Sequence, residues 1–104
     1  MGAVRHIVLC RFRADVTDAQ REAIFAELAA LRAHLPGILA MSLGANVSPE
    51  GLGQGFAHGF SIDFADPAAR DTYLADGAHG QAGAKLVAAL DGGISGLIVF
   101  DIEI

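Results

Sequence analysis

The sequence predicts an α+β domain whose elements follow the order βαββαβ. Three features carry that expectation. Residues 56–64 alternate strictly between large apolar and small or polar side chains, the period of a strand with one covered face. Residues 17–35 repeat apolar side chains at helical spacing behind a capping-box pair, Thr17 and Gln20. Glycine, proline and aspartate clusters at 36–37, 48–55, 66–67, 76–77 and 91–93 punctuate the segments between. With 104 residues there is one domain, large enough to bury about two thirds of its unfolded surface without covalent staples.

The first strand covers residues 6–12, with His6, Val8, Cys10 and Phe12 on one face and Ile7 and Leu9 on the other. Both faces are apolar at its centre, which calls for a sheet covered on two sides. Cys10 sits inside this run as a small buried hydrophobe rather than a nucleophile. In the helix of residues 17–35, Ile24, Leu28, Leu31 and Leu35 form the apolar stripe and Phe25 widens it. Pro36 ends the helix and Gly37 permits the reversal. His34, in the last turn, meets the negative end of the helix dipole.

Residues 38–47 read as a second strand with Met41, Leu43 and Val47 on one parity, and Gly44 marks a bulge or a close approach. The loop over 46–55 is rich in glycine but has no lysine or phosphate-loop spacing, so it does not predict a nucleotide site. In the strand of residues 56–64, Phe56, His58, Phe60, Ile62 and Phe64 share one face. Asp66 and Pro67 supply an N-cap and first helical position for a short helix to about Ala75. After a break at Asp76-Gly77, a second helical piece runs over about 80–90 with Leu86, Val87 and Leu90 inward. Gly83 within it costs roughly 1 kcal/mol against alanine, so a close neighbour is expected there. The last strand, residues 94–104, puts Leu97 and Val99 on one face and Ile98, Phe100, Ile102 and Ile104 on the other.

This order lays the helices on one face of a four-stranded antiparallel sheet, a ferredoxin-like arrangement. The opposite face stays apolar, and leaving Ile98, Phe100 and Ile102 wet would forgo roughly 1.5 to 3 kcal/mol each. A second copy of the chain, sheet against sheet, is the simplest cover. A hydrophobic share of 53% points the same way, as does a mean hydropathy of +0.45.

Net charge is −5 and the seven Lys/Arg are scattered, so no basic stripe exists to bind nucleic acid, and the strand phenylalanines are not an RNA-stacking platform. The four histidines show no H-x3-H pair, so neither a metal site nor any other cofactor is expected. No apolar run is long enough to cross a membrane and no leader pattern is visible, so the expected location is cytoplasmic.

The stretch over 73–83 carries the one phenol and an imidazole six residues on. A continuous helix would set Tyr73 and His79 on roughly opposite faces, whereas the break at Asp76-Gly77 can bring them together. R-H-I-V-L-C-R-F at 5–12, H-G-F-S-I-D-F at 58–64 and Y-L-A-D-G-A-H at 73–79 resemble the stress-responsive A/B barrel (Dabb) family over nearly the whole chain. That resemblance implies a dimeric α+β barrel. The family's best-understood type is a plant polyketide cyclase that closes an aromatic ring by aldol chemistry. Its site residues fall on His6, Tyr73 and His79, with a pocket between sheet and helices walled by Val8, Ile24, Phe25, Leu28, Met41, Val47, Phe60 and Leu97. Two departures stand out: Asp76-Gly77 replaces a family His-Pro, and Leu28 stands where the cyclase has a tyrosine.

On this resemblance His79 is the base, Tyr73 the orienting donor and His6 the partner that fixes imidazole or substrate, acting on a small hydrophobic, carbonyl-containing or aromatic compound. By strand parity His58 faces the helices near the pocket mouth. The rival reading is a non-catalytic protein that binds a hydrophobic small molecule or serves as a stress-linked association module.

Overall fold

A computed structural model describes residues 2–104. The elements are β1 (Val4–Cys10), α1 (Asp18–Ala30), β2 (Ile38–Ala45), β3 (His58–Phe64), α2 (Pro67–Ala75), α3 (Gly77–Ala88) and β4 (Leu97–Glu103), with 3-10 turns at Leu31–Ala33 and Gly93–Gly96. The four strands form one antiparallel sheet in the order β2-β3-β1-β4. This is the ferredoxin-like βαββαβ arrangement, with the second helical segment split into α2 and α3.

Local chemistry accounts for each boundary. Thr17 accepts from the Gln20 amide and the Gln20 side chain accepts from the Thr17 amide, so the capping box opens α1 as expected. The α-helix stops at Ala30, short of the predicted Leu35, and a 3-10 turn tightens its end. Gly37 is not in a left-handed conformation; its value is closeness, because a Cβ there would meet the Ala69 Cβ of α2 at 2.5 Å. The irregularity in β2 falls between Ile38 and Ala40 rather than at Gly44, around which a Cβ would meet nothing within 4 Å. Gly92 and Gly93 both adopt left-handed φ, of 73° and 63°, and turn the chain from α3 toward β4.

Strand parity holds through β1 and β3, while Val99, on the helix side of edge strand β4, is 53% exposed. Val4, His6, Val8 and Cys10 of β1 and Phe60, Ile62 and Phe64 of β3 are buried beneath the helices. Leu28 and Leu31 from the first helical segment, Tyr73 from α2, and Ala82 and Leu86 from α3 complete that core. Burial of Cys10 pushes its thiol pKa up to about 12, consistent with a packing role. The other sheet face is open: Leu9, Ile98, Phe100 and Ile102 project into solvent, Phe100 at 60% exposure. Among the described residues no helix is long and apolar enough to cross a membrane.

Candidate active site

The break between α2 and α3 is made by one residue. Asp76 has extended geometry (φ −68°, ψ 134°), so α2 ends, and its carboxylate then caps α3 by accepting the amide of His79 at 3.0 Å. The helix therefore restarts at Gly77, three residues earlier than predicted, and His79 lies in its first turn. The reversal brings the rings of Tyr73 and His79 to 4.1 Å between centroids, tilted by 45°. The aspartate that replaces the family's histidine thus still presents His79. Asp76 also pairs with His34 at 3.1 Å; because α1 ends at Ala30, His34 lies outside its last turn, and this tertiary contact replaces the expected helix-end one. The His79 amide first and His34 second hold the Asp76 carboxyl below its usual range.

His6 joins from the sheet. Its ring lies 5.9 Å from Tyr73 and 6.1 Å from Phe64, and Phe64 lies 5.1 Å from Tyr73. His6 is 4% exposed and places Nδ1 at 2.7 Å from the Asp101 carboxylate. A carboxylate only accepts, so Nδ1 carries the proton and Nε2 is left for another contact. The second oxygen of Asp101 accepts from Arg70 of α2 at 3.2 Å, and Arg70 sits one helical turn before Tyr73. Sequence reasoning missed Asp101 and Arg70. The available signal was an acidic residue on the same parity of β4 as Leu97 and Val99, which the register places directly opposite His6.

The electrostatics separate the Tyr73 and His79 rings. Burial lowers the His79 pKa; the Leu74 carbonyl opposes this, His6 adds to the lowering, and Asp76 opposes it. Its Nδ1 is buried outside normal hydrogen-bond geometry, although the Leu74 carbonyl interacts with the ring strongly enough to favour its protonated form. Burial raises the Tyr73 pKa, so the phenol stays protonated. A neutral imidazole beside a protonated phenol can accept a proton and donate a hydrogen bond to a developing oxyanion. A Cβ at Gly83 would lie 4.0 Å from His79 Nε2, an ordinary contact, so the close neighbour expected from its cost is not found.

The remaining expected residues are spread more widely. Val8, Leu28 and Phe60 pack into the core, with Ile24, Phe25, Met41 and Leu97 partly buried around it. Val47 is 90% exposed and forms no wall. Strand β2 ends at Ala45, and Asn46 then turns the chain by accepting the Ser48 amide at 2.8 Å, which takes Val47 off the sheet. His58 pairs with Cys10, whereas His6 pairs with Ile62, so His58 lies four residues along the strands from the His6 cluster, about 13 Å. Its ring packs on Phe12 at 5.6 Å and edges a hollow of about 450 Å³ between α1 and β2. Burial lowers its pKa, Arg21 adds to this and Asp18 opposes it. Among the described residues no three His, Cys, Asp or Glu side chains are grouped to hold a metal ion.

Comparison with known proteins supports this architecture. The stress responsive A/B barrel domain model matches residues 4–104. A dimeric ferredoxin-like protein of unknown function from Jannaschia sp. CCS1 superposes with a TM-score of 0.92 at 30% identity, covering 99% of this chain and all (100%) of the other. An Arabidopsis thaliana protein superposes at 0.87 with 28% identity, over 97% and 94% of the two chains. The hydroxynitrile lyase from Passiflora edulis shares the fold, with a TM-score of 0.88 at 21% identity over 99% and 94%. A search of curated proteins returned no significant match.

Proposed function

This chain belongs to the stress-responsive A/B barrel (Dabb) domain family, and from that premise we propose that it is a homodimeric enzyme of proton-transfer chemistry on a small carbonyl or aromatic compound. The reaction class is an aldol-type, polyketide-cyclase-like ring closure. The observation that carries this reading is the convergence of three rings from separate elements, with Tyr73 4.1 Å from His79 and 5.9 Å from His6.

In this reading His79 removes a proton from the carbon next to a substrate carbonyl. Tyr73 donates to the oxygen that gains charge, and the carbanion attacks a second carbonyl of the same chain. His79 then returns its proton to the new alkoxide, which leaves the enzyme unchanged. His6, held by Asp101 and through it by Arg70, orients the imidazole and phenol. The hydroxynitrile lyase among the structural neighbours supports only that this fold carries an enzyme. The neighbour described as dimeric and the exposed apolar sheet face both support the homodimer.

One observation favours the non-catalytic alternative, binding of a hydrophobic small molecule or stress-linked association. Tyr73 is 1% exposed and packs on Phe64, as a core aromatic would. The two readings separate on a panel of linear poly-β-keto compounds. Catalysis predicts turnover that falls by about 10²-fold or more in His79→Ala, with a smaller loss in Tyr73→Phe. Binding without consumption above the buffer rate would refute the enzyme reading for that substrate class.

A further inference from the structure

The N-terminal half of α3 carries three glycines, Gly77, Gly80 and Gly83, spaced by three. Each disfavours a helix relative to alanine. The backbone does not call for them, because the glycines with positive φ lie elsewhere in the chain. Packing does not call for them either. A Cβ at Gly77 or Gly80 would meet nothing within 4 Å. A Cβ at Gly83 would meet a single atom, Nε2 of His79, at the distance of an ordinary contact, so alanine would fit there with nothing displaced. Gly83 is thus the one of the three that borders the His79 ring.

Nδ1 is the buried nitrogen of that ring, so a second molecule reaches the imidazole at Nε2. The Tyr73 ring, 4.1 Å away between centroids, closes one flank. Gly83, one helical turn on and half-buried, leaves the space beside Nε2 clear. Resting on the proton-transfer reading above, we propose that Gly83 is a specificity-determining residue: the substrate carbon that gives up its proton approaches His79 Nε2 across the place where a Cβ would stand.

The geometry sets how much that vacancy matters. A carbon acid must come within about 3–3.5 Å of its base, and two carbons in contact stay about 3.5 Å apart. A methyl group 4.0 Å from Nε2 therefore bars every approach within about 55° of its own direction. The vacancy suits a reacting carbon with a chain on both sides. Burial makes His79 a weak base, so that carbon must also be acidic. A methylene between two carbonyl groups meets both demands.

Diethyl pyrocarbonate tests access without relying on turnover. A neutral imidazole nitrogen attacks one of its carbonyls, an N–C bond forms as the anhydride C–O bond breaks, and the imidazole proton leaves with ethyl carbonate, which decays to carbon dioxide and ethanol. Peptide mass spectrometry reads each histidine separately. Gly83→Ala should slow labelling of His79 at least about fivefold, leave exposed His34 unchanged, and raise Tm by about 4–8 °C through the helix. Gly80→Ala relieves the same helix cost with nothing nearby, so it should raise Tm and leave His79 labelling as it is. On the poly-β-keto panel, kcat/KM should fall at least about tenfold in Gly83→Ala and hold in Gly80→Ala.

Unchanged His79 labelling in Gly83→Ala overturns the proposal, as does unchanged kcat/KM where the wild type turns over. Equal slowing in Gly80→Ala overturns it by making helix stiffness the cause, and a lower Tm in Gly83→Ala does so by giving Gly83 a packing role. A wild type whose labelling follows this pattern but which consumes nothing on the panel refutes the proton-transfer reading for that substrate class, which separates the two failures.

Discussion

Asp101→Ala removes the partner of a buried histidine, and the structure sets the size of the effect. The His6 side chain is 5% exposed and its Nδ1 lies 2.7 Å from the Asp101 carboxylate. Truncation leaves that donor buried without an acceptor, which costs about 1–3 kcal/mol. Arg70 loses one ion-pair partner but keeps Asp71 at 3.1 Å, and it is solvated, so the His6 donor dominates. For a domain of this size, Tm should fall by about 4–8 °C for each kcal/mol. Thermal unfolding at fixed protein concentration, which the proposed dimer requires, would measure it. The attribution rests on a double-mutant cycle with His6→Leu. Once the imidazole is gone, Asp101→Ala should cost much less than in wild type. If it destabilises the His6→Leu background by the full amount, the hydrogen bond is not the source and the positioning chain from Arg70 to His6 is wrong.

Two further predictions concern the histidine beside Tyr73. Its folded pKa lies below the ordinary 6.5, so the unfolded chain takes up the proton first as pH falls; stability is fully present above about 6.5 and is lost as pH drops through the folded value. Stability should therefore decline from pH 7.5 to pH 5, and His79→Gln should flatten the slope, with His58 supplying the remainder; an unaltered slope in His79→Gln would contradict the assigned burial. Asp76→Ala should lower Tm and broaden the His79 ring signals in NMR spectra, because the side chain that holds the His79 amide is gone, whereas Asp76→Asn should retain most of the cap. Unchanged His79 resonances in Asp76→Ala would show that the turn is held by other contacts.

The sequence by itself determined what depends on neighbours along the chain. The period-2 pattern in β3, the capping box of Thr17 and Gln20, the Asp66-Pro67 start and the glycine stop after α3 are local physics, and each element followed. Parity also assigned His6, Phe60 and Ile62 to the helix side and Phe100 to the open side, because successive strand residues point to opposite faces. The meeting of Tyr73 and His79 was legible for the same reason, since Asp76 breaks the helix through its own backbone and side chain.

What the sequence left open depends on register and on packing across the chain. Only pairing of β1 with β4 sets Asp101 opposite His6, and no spacing along the chain encodes a contact between residues 95 positions apart. Val47 kept the right parity for a pocket wall but left the sheet at an Asn46 turn, a choice made by the loop rather than by alternation. The tertiary structure likewise decided that Val8, Leu28 and Phe60 fill the space between sheet and helices, because side-chain volumes from three elements meet there and none of them alone sets the gap. The outward faces of the strands combine in the same way. Each strand shows only its own side chains, and it takes the register of all four to align Ser42, Ser61, Ile7 and Phe100 in one row.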